Sequence, residues 1–146
     1  MKVKDIETPD PEVIRPDDTL AQAARKMRDL NIGLLPVCDG EQLLGTITDR
    51  DIVIRAIAEG WNPTTAKVRQ CMTAEVFCCF EDQNIKEAAS LMEEKQVRRL
   101  PVLNDQKRLV GIVSLGDVAV RTGKERLAGE ILERVSEPSP SEAVMA

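Results

Sequence analysis

An internal repeat constrains the fold of this chain more than any other feature of its sequence. Residues from Val3 to Val37 recur as similar residues 65 positions later, and residues from Leu43 to Arg55 recur 66 positions later. The one extra residue falls in a polar stretch typical of a turn, where a change of loop length costs little free energy. Two copies of one unit therefore occupy most of the 146 residues.

The two copies are most alike in a motif of glycine, two β-forming residues, a hydroxyl residue, two variable residues and aspartate. This motif spans residues 45–51 and 111–117, and an apolar run lies on each side of it. The pattern predicts a buried strand that ends where a helix begins. Thr48 and Ser114 are natural N-caps, with an aspartate in the first helical turn. The same turn could bind a phosphate through free N–H groups and a ribose diol through the carboxylate, so both interpretations remain open.

Each copy predicts the element order β-α-β-β-α, which is an α+β fold. The first strand lies at Val13-Ile14 in one copy and from Val76 to Cys79 in the other, and acidic residues then open a helix. A Leu-Pro-Val strand, a polar turn and a strand that ends at the motif follow the helix. The predicted buried stripes of the two first helices have i, i+4, i+7 spacing and comprise Leu20, Ala24 and Met27, and Ile85, Ala89 and Met92.

These patterns divide the chain into five segments. The segments are the first repeat at 3–60, a linker at 61–67, the second repeat at 68–122, a C-terminal helix at 123–135 and a disordered tail at 136–146.

Composition narrows the class of function. Apolar residues at 42% and charged residues at 31% are typical of a globular protein. No apolar run approaches the roughly 20 residues of a membrane-spanning helix, and the N-terminus does not resemble a secretory signal, so we expect a cytoplasmic protein. The net charge of −5 argues against a nucleic-acid partner. The absence of histidine removes the commonest general base and zinc ligand, so we expect neither an enzyme nor a metal site.

The four cysteines are Cys38, Cys71, Cys78 and Cys79, and they show no CxxC spacing. Structural thiols are therefore favoured over a zinc site or a redox pair. We expect all four to be free and reduced, and Cys38 and Cys78 to resist thiol reagents until the protein unfolds.

The order of these motifs resembles a pair of CBS domains, also called a Bateman module. The resemblance covers roughly residues 3–122. The chain is similar to stand-alone bacterial members of this family, including hypoxia- or stress-induced ones. It implies two repeats packed as a pseudo-two-fold pair. It also implies a regulatory module that binds AMP, ADP, ATP, S-adenosylmethionine or NAD in clefts between the two motifs. The alternative is a ligand-independent structural dimer or protein-interaction module in a stress response.

The same resemblance assigns roles to individual residues. It places Thr48 and Ser114 at phosphate, Asp51 and Asp117 at the ribose hydroxyls, and Gly45 and Gly111 where a backbone approaches closely. The residues expected to line the adenine slot are Val13, Ile14 and Leu34 in one copy, and Val76, Cys78, Arg99 and Leu100 in the other. Arg55 and Arg121 lie four residues after each aspartate, so an i,i+4 ion pair competes with a ligand contact as their explanation.

The second helices suggest self-association. Their apolar positions are too many for one buried face: Ile52, Ile54 and Ile57, with Val118 and Val120. Paired modules of this kind usually associate through those helices, so we expect a homodimer. A protein effector of unknown identity is the other expected partner.

The two ligand sites are expected to be unequal. Arg98 and Arg99 occupy the positions of Gly33 and Leu34 in the first copy. A charge-assisted contact between arginine and phosphate is worth about 1.5 to 3 kcal/mol, so an anionic nucleotide should fill the second site first. The alternative is that both arginines form surface ion pairs with Glu93 or Glu94.

Overall fold

The computed structural model of the chain describes residues 1–122 and 132–136. Its helices are α1 (Leu20–Leu30), α2 (Asp49–Asp51), α3 (Val68–Cys71), α4 (Ile85–Lys95) and α5 (Leu115–Thr122), with a 3-10 helix at Val3–Asp5 and a π-helix at Ile52–Ile57 that continues α2. Its strands are β1 (Thr8–Pro9), β2 (Leu34–Asp39), β3 (Gln42–Thr48), β4 (Cys79–Phe80), β5 (Arg99–Leu103) and β6 (Leu109–Ser114). The predicted α+β class is confirmed. Within the described residues, no helix has the length and apolarity needed to cross a membrane.

Helices α1 and α4 begin and end through equivalent local interactions. The Thr19 hydroxyl accepts a hydrogen bond from a backbone N–H group three residues later at 3.2 Å, and the Asn84 side chain accepts one two residues later at 2.9 Å. Both helices stop at a residue in the left-handed conformation, Asn31 with φ 54° and Gln96 with φ 55°. Polar caps therefore give the two helices the same 11-residue length.

The buried stripe of α1 differs from the predicted one at a single position. Leu20 and Met27 are buried as expected, but Ala24 is exposed and Ala23 is buried instead. Ala23 and Ala24 lie on opposite edges of the stripe, and the core covers only one edge. In α4 the predicted residues Ile85, Ala89 and Met92 are all buried.

The described residues form two compact units, and each unit borrows a segment from the other repeat. The first unit comprises residues 11–76 and 107–109, and the second unit comprises residues 1–10, 77–106 and those described from Val110 onward. Residues 1–10 are thus part of the unit built mainly from the second repeat. Their counterparts, residues 68–76, belong to the unit built mainly from the first.

The borrowed segments supply apolar side chains to each core. Val3 and Ile6 are fully buried in the core of the second unit. Val68 and Cys71 occupy the matching places in the core of the first unit. Each unit therefore depends on the segment that precedes the opposite copy in sequence for part of its hydrophobic stabilisation.

The two units contain the same strand arrangement. In the second unit the order is β1-β6-β5-β4, with β1 antiparallel to β6 and β4 parallel to β5. In the first unit β2 and β3 form an antiparallel pair. Its outer strands are reduced to single bridges, antiparallel from Thr73 to Thr46 and parallel from Ile14 to Val37.

Some predicted boundaries differ from the structure. Only Ile14 of the Val13-Ile14 strand forms a bridge, and the strand predicted from Val76 begins at Cys79. Pairing with the Leu-Pro-Val strand sets these limits, and it involves only one or two residues. Most of the predicted C-terminal helix at 123–135 and of the tail at 136–146 lies outside the described residues, although residues 132–135 are helical.

Candidate functional site

The hydroxyl and aspartate of each motif form a reciprocal capping box. The Thr48 hydroxyl accepts a hydrogen bond from the Asp51 N–H group at 3.0 Å, while Asp51 Oδ2 accepts one from the Thr48 N–H group at 3.0 Å. Ser114 and Asp117 make the same pair of bonds at 3.0 and 2.8 Å. The N-cap interpretation is therefore confirmed at both turns. The capping box does not involve Oδ1 of the carboxylate or the proton of the hydroxyl, so these groups can form further hydrogen bonds.

The first turn carries an additional arginine contact. Arg55 Nε lies 3.9 Å from Asp51 Oδ1, which is the predicted i,i+4 ion pair. Arg55 Nη1 also donates to the backbone oxygens of Cys71 and Met72 at 3.2 Å each. Arg55 therefore ties the motif to the borrowed segment of its unit. The side chain of its counterpart Arg121 lies outside the described residues.

Both motif glycines have a packing role. A Cβ atom on Gly45 would stand 2.5 Å from the backbone oxygen of Thr73, and one on Gly111 would stand 2.9 Å from the backbone oxygen of Thr8. The borrowed segment crosses the motif strand at these points, so a side chain would prevent the pairing. Protein packing alone therefore explains the glycines, and their predicted contact with a ligand stays a prediction.

Glu7 is a half-buried acid beside the second motif, and its role was not predicted from the sequence. Its Oε2 atom is buried without a hydrogen-bond partner among the described residues, 2.6 Å from where a Cβ on Gly111 would stand. Desolvation, followed by repulsion from Glu81, raises the pKa of the Glu7 carboxyl. The repeat offered a signal, because Met72 occupies the equivalent position and its sulfur lies 3.3 Å from the Cβ position of Gly45.

The residues predicted for the adenine slot differ in burial. Ile14 and Leu100 are buried in the hydrophobic cores. Val13, Leu34, Val76 and Cys78 are half-buried, and Arg99 is exposed. Half-buried or exposed side chains keep surface for a ligand, whereas Ile14 and Leu100 mainly contact core residues. Their ligand contacts remain predictions.

A groove of about 440 Å³ lies in the second unit beside β4 and the preceding residue Cys78. Phe80 and one face of α4 complete its walls, with Lys86, Glu87 and Ser90 among the lining residues. Of the predicted site residues, the groove includes Cys78 alone. The groove and the capped motif turn of that unit are therefore distinct features.

All four cysteines are free thiols. Burial raises the pKa of the Cys38 thiol to about 11, and burial with a smaller contribution from Cys78 raises the pKa of Cys79 to about 12. Cys78 is only half-buried, so burial does not support its predicted resistance to thiol reagents, which stays a prediction. Neighbouring residues on a strand face opposite sides, and Cys79 is the one that faces the core. No group of three or more Cys, Asp or Glu side chains among the described residues could hold a metal ion.

Comparison with protein families places the whole repeat in one class. The model of the CBS domain matches residues 3–57 and again residues 68–121. The uncharacterized protein YlbB of Bacillus subtilis is 40% identical over 138 residues, which cover 93% of this chain and 92% of YlbB. Hypoxic response protein 1 of Mycobacterium tuberculosis is 44% identical over 103 residues, covering 70% of this chain and 71% of the relative.

Solved structures of similar proteins include ligand complexes. Hypoxic Response Protein I with two coordinated zinc ions aligns with a TM-score of 0.75 at 38% identity, over 83% of this chain and 98% of that one. CBSX2 in complex with AMP aligns at 0.73 and 25% identity, over 86% and 98%. The CBS domain pair of MJ0100, in complex with 5'-methylthioadenosine and S-adenosyl-L-methionine, aligns at 0.71 and 29% identity, over 86% and 98%.

Proposed function

The chain belongs to the CBS domain family, and we propose that it is a regulatory module that senses adenosine-containing ligands. The observation that carries this proposal is the matched pair of capped turns at Thr48-Asp51 and Ser114-Asp117. Similar proteins bind AMP, 5'-methylthioadenosine or S-adenosyl-L-methionine, so an adenosine compound is the ligand class that fits the family. We expect the repeats at 3–60 and 68–122 to contribute one site each, with 61–67 as their linker.

Each turn has the chemistry that such a ligand requires. The hydroxyl of Ser114 accepts a bond from Asp117 N, so its own proton is available for a phosphate oxygen. Asp117 uses Oδ2 in the capping box, which leaves Oδ1 to accept a hydrogen bond from a ribose hydroxyl. Thr48 and Asp51 would make the same contacts in the first unit, where Asp51 Oδ1 also lies 3.9 Å from Arg55 Nε.

A thermal-shift screen with AMP, ADP, ATP, S-adenosylmethionine and NAD tests the proposal. A ligand at 100 times its Kd adds about 2.7 kcal/mol of stability, which raises Tm by roughly 5 to 10 °C for a domain of this size. Asp117→Ala should reduce the shift, whereas Gly116→Ala in the same turn should preserve it. If none of the compounds shifts Tm at millimolar concentration, the proposed function is wrong.

The second candidate function is a ligand-independent structural dimer or interaction module. Exposed apolar side chains on the second helices favour it: Val53, Ile54, Ile57 and Val120. Ile52 and Val118, which the sequence analysis grouped with them, are instead buried in the cores. The alternation indicates one face of each helix for the core and another for a partner.

We propose that this exposed face joins two copies of the chain, and that the dimer acts on an unidentified protein effector in the cytoplasm. Light scattering at micromolar concentration should give a mass of twice 16.2 kDa. Ile57→Glu should convert the dimer to a monomer, while Arg25→Glu on α1 should leave the mass unchanged. A monomeric parent protein would refute the dimer and leave the ligand proposal standing.

A further inference from the structure

The two motif turns are held by the same backbone hydrogen bond but carry different side chains around it. Asp49 N donates to the Gly33 oxygen at 3.1 Å, and Leu115 N donates to the Arg98 oxygen at 2.9 Å. Asp49 aligns with Leu115, and Gly33 aligns with Arg98. One structural position thus pairs an acid with glycine in the first unit and an apolar residue with a base in the second.

In the first unit the acid lies over the glycine. The Asp49 carboxylate oxygens are 3.2 and 3.4 Å from where a Cβ on Gly33 would stand. A side chain at position 33 would therefore crowd this carboxylate. Asp49 is exposed and forms no ion pair among the described residues, and its carboxylate accepts a hydrogen bond from the neighbouring Arg50 N–H group at 2.9 Å. Its negative charge is consequently available to a ligand.

In the second unit, neither Arg98 nor Arg99 forms an ion pair with the nearby Glu93 and Glu94. Glu93 pairs with Arg134 at 3.2 Å and Glu94 pairs with Lys95 at 3.6 Å. Arg98 donates to the Ser136 hydroxyl at 3.4 Å, a neutral partner. Arg99 is exposed at the start of β5. The predicted ion pairs of these arginines with Glu93 or Glu94 are therefore not observed.

The formal charges of each turn and its aligned strand residues differ by two between the units. The first turn and its aligned strand residues carry two acids, Asp49 and Asp51, and one base, Arg50. The second carries one acid, Asp117, and two bases, Arg98 and Arg99. With equal backbone geometry, this charge difference gives a ligand phosphate a more favourable electrostatic environment at the second turn than at the first, although Arg55 partly offsets the charge of Asp51 there.

We infer that this charge difference makes the two turns selective for different adenosine compounds. The first turn, with Asp49 over Gly33, rejects phosphate and takes an uncharged or cationic adenosine derivative. The second turn, with Arg98 and Arg99, takes a phosphorylated one. The inference rests on the proposed function, because it assigns ligand classes to the same two turns. It extends that proposal by making Asp49 a residue that excludes anions.

Calorimetric titration with AMP and with adenosine tests the inference. Arg98→Gly combined with Arg99→Leu gives the second turn the residues of the first, and it should weaken the tightest AMP binding about tenfold. Asp49→Leu gives the first turn the residue of the second, and it should strengthen the weaker AMP binding severalfold. Both effects should grow at low ionic strength, since these charges are exposed. Adenosine affinity should change by less than about twofold, because adenosine carries no charge at which the exchanged residues could act.

Variants with the same charge change elsewhere provide the controls. Arg25→Leu combined with Arg28→Leu on α1 matches the two charges removed from the second turn, and Asp105→Leu in the β5–β6 turn matches Asp49→Leu. Both controls should leave AMP affinity unchanged. If AMP and adenosine both bind but the exchanges affect neither, or affect both equally, the inference is wrong and the proposed function stands. If neither compound binds the parent protein, the proposed function fails and this inference fails with it.

Discussion

The first and second units have the same strand pairing in the same register. They differ in the side chains that pack against these strands. The bridge from Thr73 to Thr46 in the first unit is the counterpart of the pairing of Thr8 with Ile112 in the second. The bridge from Ile14 to Val37 likewise corresponds to the pairing of Cys79 with Val102. Equivalent residues therefore set the same strand register twice, although only the second unit extends its outer pairs beyond one residue.

The difference between the units is concentrated where the borrowed segment crosses the motif glycine. In the first unit Met72 lies against Gly45, and in the second Glu7 lies against Gly111. A thioether suits a partly apolar position, whereas a buried carboxylate oxygen without a partner costs free energy. The comparison shows that the repeat conserves the space for a crossing chain more strictly than the polarity of the side chain that fills it.

Adding a methyl group at the motif glycines should produce the largest change. Gly45→Ala would bring Cβ to 2.5 Å from a backbone oxygen of the first unit, so the borrowed segment must move or the strand must shift. We expect a loss of about 1 to 3 kcal/mol, the range for overpacking a well-packed site. Gly111→Ala should cost less, because its closest contact at 2.6 Å is the end of the Glu7 side chain and the nearest backbone oxygen, that of Thr8, is at 2.9 Å instead of 2.5 Å. Urea denaturation of the three proteins measures the difference.

Two further variants make the glycine comparison decisive. Gly116→Ala is the control, because its Cβ would meet nothing closer than 3.6 Å and alanine favours a helix. Adding Glu7→Ala to Gly111→Ala should recover part of the lost stability by removing the side-chain clash. Equal losses for Gly45→Ala and Gly116→Ala would show that the crossing segment does not constrain Gly45.

Exchanging Glu7 and Met72, the residues that lie against the motif glycines, should change stability by a smaller amount. The sign of the change should be opposite in the two units. Glu7→Met should stabilise the second unit at pH 7 by up to about 1 kcal/mol, since it removes a partly buried carboxylate without a partner. Met72→Glu should destabilise the first unit at pH 7 by a similar amount. Glu7→Gln serves as the control, because it removes the charge and keeps a polar group.

The pH dependence of the Glu7 variant identifies the cause. The pKa of Glu7 is raised in the folded protein, so the protonated form is the one that the fold favours. The contribution of Glu7 to stability is therefore greatest below its unfolded pKa of about 4.3 and is lost as pH rises through the folded pKa. The advantage of Glu7→Met should accordingly shrink as pH falls from 7 to 4. An advantage that is constant over this range would assign the effect to packing instead of charge.

The sequence predicted the parts of the structure that depend on local chemistry. The caps at Thr48 and Ser114, the first helices and the Leu-Pro-Val strands follow from hydrogen-bonding side chains and from periodicity, which act within a few residues. The exchange of the borrowed segments could not be predicted, because residues 1–10 match residues 66–75 and suit either unit equally well by pattern. For the same reason the acid at Glu7 was missed, since its position matters only once the segment lies across Gly111.

The site could be predicted only as far as the motif extends. Asp51 and Asp117 lie where the spacing placed them, in the first helical turn beside a hydroxyl cap. Residues assigned to the adenine slot from outside the motif divided between core and surface. A predicted strand as short as Val13-Ile14 carries too little alternation to show which side chain faces inward, and β5 is buried at every position after Arg99 instead of alternating. The side chains of Ile14 and Leu100 are buried in the hydrophobic cores.

The cysteines should contribute least to the difference in stability between the units, because each aligns with an apolar residue of the other copy. The aligned pairs are Cys38 with Leu103, Cys71 with Ile6, Cys78 with Val13 and Cys79 with Ile14. Cys78 and Val13 form the only half-buried pair of the four, and the other members are buried. In native protein at pH 8 a maleimide reagent should therefore modify Cys78 before the other thiols.

Each of the other three thiols should react only after unfolding, since burial limits access and raises their pKa values. Mass spectrometry of peptides after a timed reaction would read the order directly. Cys78→Val, which installs the residue of the first copy, should abolish the fast reaction with little change in stability. Fast modification of Cys38 in the native protein would show that β2 opens locally. The two units would then differ in their local stability and not only in the burial of their thiols.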